Sequence, residues 1–100
     1  MKRTPQWIAA AVLCGASLAA HAQVSQVRVW AAACANCHGT DGRAQPGMAS
    51  LAGASKDDMV KKMLDFKAGR RPATIMHQLA KGYSDDQIEA IAAYFAAQKN

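Results

Sequence analysis

The sequence contains no strand-like run, and its longest uncharged apolar stretch, Trp7 to Ala20, is 14 residues, whereas a helix crossing a bilayer needs about 20. Charged residues make up only 19% and hydrophobic residues 51%, a balance that excludes both a disordered polar chain and a multi-span membrane protein. At 100 residues the chain is too short for separate cofactor and substrate domains, so any chemistry must come from one compact site or from a bound group. Cysteine is scarce: there are three, Cys14, Cys34 and Cys37.

The amino-terminal segment reads as a secretory signal. Met1, Lys2 and Arg3 form a positive start, the apolar run follows, and Ala20-His21-Ala22 places small residues at the cleavage positions. This predicts a cleaved signal peptide over residues 1–22, a single domain over residues 23–100 and a periplasmic location. A lipid anchor at Cys14 is not expected, because Leu13 precedes it where a lipoprotein signal carries Gly, Ala or Ser. Loss of Lys2 and Arg3 lowers the formal charge from +5 to +3, with ten basic and seven acidic residues remaining. Asp57, Asp58, Asp65, Asp85, Asp86 and Glu89 are interleaved among the basic residues rather than set apart from them. A nucleic-acid partner is therefore not expected, and no membrane span remains after cleavage.

Only Cys34 and Cys37 survive in the mature chain, within Cys34-Ala35-Asn36-Cys37-His38. This C-x-x-C-H run is the attachment motif for c-type haem. Two thiols three residues apart on a turn can each form a thioether to one vinyl group of a porphyrin, and the adjacent imidazole is then held beneath the iron. Competing uses of the pair fit less well. A thioredoxin-type dithiol expects a preceding strand and a longer α/β chain, a zinc site needs four ligands at set spacing, and a plain disulfide leaves His38 without a purpose. A domain this small also buries little surface by itself, which favours a covalently held group.

Around the motif the periodicity is helical. Ser25 to Ala33 has no breaker and sets Val27 and Trp30 on one face. Gly39 to Gly53 is rich in Gly, Ala and Pro and reads as a loop. Ser55 caps a second helix with Asp57 and Asp58 in its first turn and an apolar face from Val60, Met63, Leu64 and Met59, ended by Gly69. Ser84 starts a third, with Gln87 completing a capping box and Ile88, Ile91, Ala92 and Phe95 at helical spacing. Met48, Met59, Met63, Met76 and His77 are the candidate second axial ligands to an iron; for Met59 and Met63 core packing is the competing use, and Met76 lies in a segment that Pro72 and Gly82 are expected to keep irregular between two helices.

Cys34 to Gly39 and the elements that follow resemble a class I cytochrome c, over essentially all of the mature chain. The resemblance implies an all-α fold of three main helices and loops wrapped around one covalently bound haem c. Cys34, Cys37 and His38 would then hold the cofactor, with His38 and Met76 as iron ligands and His77 the neighbouring alternative. It implies a crossing of the first and last helices, with Trp30, Tyr94 and Ile91 meeting there. Gln26 departs from the Gly of many relatives, which implies a looser or displaced crossing. Pro46 resembles the proline whose neighbourhood accepts the proton of the haem-binding His.

With both axial positions filled, the implied role is single-electron transfer without a catalytic site of the chain's own. Cys37-His38-Gly39-Thr40-Asp41-Gly42, Leu51-Ala52-Gly53 and the segment from Pro72 to Phe95 are similar to the cytochrome subunit of flavocytochrome c sulfide dehydrogenases, which implies a flavoprotein dehydrogenase partner. The alternative is a free, diffusible carrier of the c4 or c5 type that docks transiently on other redox proteins through Lys56, Lys61, Lys62, Lys67, Arg70, Arg71 and Lys81.

Overall fold

A computed structural model describes residues 25–100; the expected signal peptide lies outside the described residues. Among the described residues there are four helices, α1 Gln26–His38, α2 Lys56–Lys67, the short α3 Met76–Leu79 and α4 Asp85–Ala96, with single 3-10 turns at Thr40–Gly42 and Ala80–Gly82.

α1 does not stop at Ala33. The stretch after it holds Ala35 and no glycine or proline before Gly39, so helix propensity carries the helix through both cysteines and His38. Gly39 ends it, its N–H bonding to the Ala35 carbonyl. α2 starts where Ser55 Oγ accepts from Asp58 N, and Asp57 and Asp58 complement the positive end of the helix. α4 carries the expected capping box, Ser84 Oγ accepting from Gln87 N at 3.1 Å and Gln87 Oε1 from Ser84 N at 2.9 Å.

α4 is the hub. Both α1 and α2 pack against it, while α3 and the turn after it pack on α2. Ala31, Met59, Ile91, Ala92 and Phe95 form the buried cluster, with Trp30, Cys34, Leu51, Tyr83 and Tyr94 packed around it. The crossing of α1 and α4 is thus built as expected from Trp30, Ile91 and Tyr94. Gln26 is exposed at the start of α1, and the small side chains that allow approach are Ala31 and Ala92. On α2 the buried residue is Met59, whereas Val60, Met63 and Leu64 are only half-buried.

Residues 72–82 are more ordered than their composition suggested: between Pro72 and Gly82 no breaker intervenes, and the segment forms α3 and the turn behind it. Lys67 fastens this region to the next, its Nζ donating to the Tyr83 carbonyl at 2.8 Å and to Asp85 Oδ1 at 2.9 Å.

Candidate functional site

Because α1 continues through the motif, Cys34, Cys37 and His38 stand on a helix rather than on a turn. At about 100° per residue, Cys37 lies some 60° to one side of Cys34 and His38 some 40° to the other. Both thiols and the imidazole therefore share one stripe of α1, within about one turn along its axis.

The two thiols are free, and no disulfide joins them. Cys34 is half-buried against the core, and burial pushes its thiol above the ordinary range. Tyr83, just after α3, is pushed up as well, by burial first and by the neighbouring Cys34 second. Cys37 is exposed.

His38 Nδ1 lies 2.6 Å from the Ala49 carbonyl oxygen. A carbonyl has no proton to give, so Nδ1 carries the hydrogen and donates it. Nε2 is left with its lone pair, the form an imidazole needs to bind a metal. The acceptor is three residues beyond the expected position at Pro46, because the chain turns at Gln45 to Met48, where Met48 N bonds to the Gln45 carbonyl, before coming back to His38.

The candidate sixth ligands have different fates. Met59 is committed to the core at 8% exposure, and Met48 is 47% exposed in the loop. Met63 is half-buried on α2. Met76 is the first residue of α3, half-buried, and its carbonyl accepts from Ala80 N. His77 beside it is half-buried too, with Nδ1 enclosed and lacking a hydrogen-bond partner. α3 packs on α2 and makes no extensive contact with α1, so Met76 is not brought against His38 by direct packing. Tyr83, near Cys34, is the link between the two regions.

The donor set fits a c-type haem: two unbonded thiols and a one-faced imidazole with Nε2 free share a stripe, and apolar side chains, Ile75 and Leu79, flank Met76 with 54% and 46% exposure. Two participants, Ala49 and Asp41, give no sequence signal as site residues. Ala49 contributes only a backbone oxygen. Asp41, at φ +53, accepts from the Tyr94 hydroxyl at 2.8 Å; the Asp41-Gly42 pair marks a turn, but nothing in it points to a tyrosine on α4.

Comparison with known proteins agrees with this geometry. The family model described as cytochrome C oxidase, cbb3-type, subunit III matches residues 22–95. The chain is 39% identical to the cytochrome subunit of sulfide dehydrogenase of Chlorobaculum tepidum, over 71% of this chain and 64% of that protein. It is 43% identical to a cytochrome c4 of Pseudomonas aeruginosa, over 69% of this chain and 35% of that one. Among solved structures, the cytochrome c4 of Acidithiobacillus ferrooxidans superposes with a TM-score of 0.62 at 34% identity, covering 65% of this chain and 38% of its own. The chain thus spans less than two thirds of the length of each of these proteins. A family match over nearly all the described residues, a helical fold shared with cytochrome c4 and a C-x-x-C-H stripe place the chain in the c-type cytochrome family, whose cofactor is covalently bound haem c.

Proposed function

We propose that this protein is a periplasmic monohaem cytochrome that passes single electrons as the haem subunit of a flavoprotein sulfide dehydrogenase. Cys34 and Cys37 would hold the haem through thioethers, with His38 Nε2 and Met76 Sδ as the ligands of its iron. The observation that carries this reading is the α1 stripe of two free thiols and an imidazole whose other nitrogen is bound to Ala49 O. When bound, haem c supplies an iron that gains and loses one electron at a time.

The chain's own residues set how that iron behaves. The Ala49 carbonyl keeps the proton on Nδ1, fixes the ring's orientation and strengthens Nε2 as a donor. The thioether of Met76 raises the reduction potential relative to a second imidazole, which suits an acceptor of electrons. If His38 and Met76 both ligated the iron, it would offer no open position to a substrate, and the oxidation of sulfide would belong to the partner.

Support for the subunit reading comes from the Chlorobaculum relative, itself named as a sulfide dehydrogenase subunit. The second reading, a diffusible carrier, is favoured by the cytochrome c4 likenesses and by Lys56 and Lys62, exposed basic residues without an acidic partner among the described residues. Export through cleavage after Ala22 is part of the proposal and rests on the leader-like residues 1–22. Among the described residues no helix is long and apolar enough to cross a membrane.

Co-purification of the tagged, haem-loaded protein from its native periplasm tests the proposal. A second polypeptide carrying flavin in equal amount, with sulfide reducing the haem, is the expected result. A haem protein recovered alone, and not reduced by sulfide in the periplasmic extract, would overturn the subunit reading and leave the carrier.

A further inference from the structure

The oxygen that orients His38 lies in a loop with little structure of its own. Between Gly39 and Ala54 there is one 3-10 turn, and the loop is drawn together by Leu51 N and Ala52 N donating to the Gly42 carbonyl at 2.8 and 3.1 Å and by Ala44 N donating to Ser50 Oγ at 3.0 Å. Its position on the molecule is fixed from outside, by the end of α4. Tyr94 Oη donates to Asp41 Oδ1 at 2.8 Å, Gly53 N to the Phe95 carbonyl at 3.0 Å, and Arg43 Nε to the Lys99 carbonyl at 2.8 Å. Ala49 sits between these ties.

Two features single out the Tyr94 bond among them. Asp41 holds a left-handed backbone, φ +53, which a residue with a side chain adopts at a cost, and in that conformation its carboxylate meets Tyr94. The Tyr94 ring is set edge-on against the buried Phe95, with centroids 5.3 Å apart and planes at 74°, so the hydroxyl is presented from a fixed platform. The hydroxyl's proton is held more tightly than usual, chiefly because Asp41 accepts it. The Arg43–Asp41 ion pair, 3.7 Å long and well exposed, adds little.

We infer that Tyr94 and Asp41 are positioning residues for His38: their hydrogen bond fixes the loop so that the Ala49 carbonyl holds the imidazole in one tautomer and one orientation. The inference rests on the proposed role of His38 as an iron ligand. It makes the last helix, more than fifty residues away in sequence, part of the apparatus that sets the proximal ligand.

The test is solvent exchange of the His38 Nδ1 proton, followed by NMR in the reduced, haem-loaded protein with labelled histidine. Tyr94→Phe removes the hydroxyl and keeps the ring. Asp41→Gly removes the carboxylate and suits the backbone, and Asp41→Asn keeps an acceptor oxygen in a residue that tolerates the same φ. Exchange is expected to speed about tenfold in Tyr94→Phe and in Asp41→Gly, with no further gain in the double variant, and to return to the wild-type rate in Asp41→Asn. The α4 amides of Ile88 and Ile91, which report global opening, should stay unchanged. Unchanged exchange in Tyr94→Phe would overturn the inference, as would an acceleration that those amides share in full, since that is the signature of a merely stabilising contact. Failure of the ligand assignment is distinguishable, because it appears in the wild-type protein as His38 ring signals without the shift that a haem ring current imposes.

Discussion

Replacing Gly39 with Ala should damage the protein far more than the loss of two hydrogen atoms suggests. Gly39 leaves α1 at φ +81 and ψ 167, a conformation almost confined to glycine. A Cβ built there lies 2.0 Å from the Arg43 carbonyl oxygen and 2.6 Å from its carbon. Those are backbone atoms, and no rotamer change moves them. The backbone strain costs about 2 kcal/mol. Relieving the clash means pulling the 3-10 turn open, which breaks Gly42 N to Gly39 O and Arg43 N to Thr40 O, each worth about 1 kcal/mol. The total is about 4 kcal/mol against a stability of roughly 5–10 kcal/mol for a domain this small. Gly47→Ala is the control, since Gly47 also has positive φ, +95, but nothing lies within 4 Å of its added Cβ, so only about 1–2 kcal/mol of strain applies. Urea titration of the haem-loaded variants should show Gly39→Ala at least about 2 kcal/mol worse than Gly47→Ala, equivalent to roughly 10 °C in melting temperature. Equal losses in the two variants would refute the reasoning, because the backbone strain is common to both and the clash is not.

Cys34→Ala with Cys37→Ala should leave no haem attached after acid-acetone extraction, and full retention of the haem would contradict the thioether assignment. Met76→Ala should abolish the near-infrared methionine-to-iron band and lower the reduction potential, whereas His77→Ala should leave the band in place; absence of the band from the wild-type protein, with a haem spectrum that changes in His77→Ala and not in Met76→Ala, would assign His77 instead. Asp65 provides a pH-dependent test. Hydrogen bonds from Lys61 and then Arg70, at 2.8 and 3.1 Å, hold its carboxyl below the usual carboxylate range. Its folded pKa is therefore lower than its unfolded one, so the stability it contributes is complete above the unfolded value of about 4 and is lost as the pH falls through the folded value. Asp65→Asn should accordingly have a flatter loss of stability on acidification. Parallel curves for variant and wild type from pH 7 to pH 2 would contradict this.

The parts of the fold that were legible are those whose signals are local. Ser84 and Gln87 lie within one turn of each other, and the spacing of Ile88, Ile91, Ala92 and Phe95 needs only one helix to be recognised, so α4 is found where the sequence places it. Ser55 marks α2 for the same reason. The end of α1 is less legible, since the motif suggests a turn although the residues from Cys34 to His38 contain no breaker. Pro72 and Gly82 suggested an irregular connection, yet they only bound α3 and its turn. In the candidate site, Cys34, Cys37 and His38 are written in the sequence as side chains, whereas the partner of His38 is the backbone oxygen of Ala49, whose position depends on the path of the whole loop. A residue-type pattern carries no trace of such an oxygen, and the resemblance at Pro46 points only to a neighbourhood, within which Ala49 lies three residues on.

The placement of α4 explains why these two kinds of information meet at one site. One side of the helix, with Ile88, Ile91, Ala92 and Phe95, is buried, and the last three join a cluster that includes Ala31 of α1 and Met59 of α2. Its final turns do something else: Tyr94, the Phe95 carbonyl and the Lys99 carbonyl just beyond receive or hold the loop that follows His38. Burial of the apolar side therefore fixes the polar end, and the polar end fixes the loop. Among the described residues, four of the eight buried hydrophobic ones are alanines, so the packing that aligns α4 rests mainly on Phe95, Ile91, Ile88 and Met59. A truncation among these residues would reach His38 through the loop, without any contact to the imidazole, and the geometry of the proximal ligand is in that sense a property of the core.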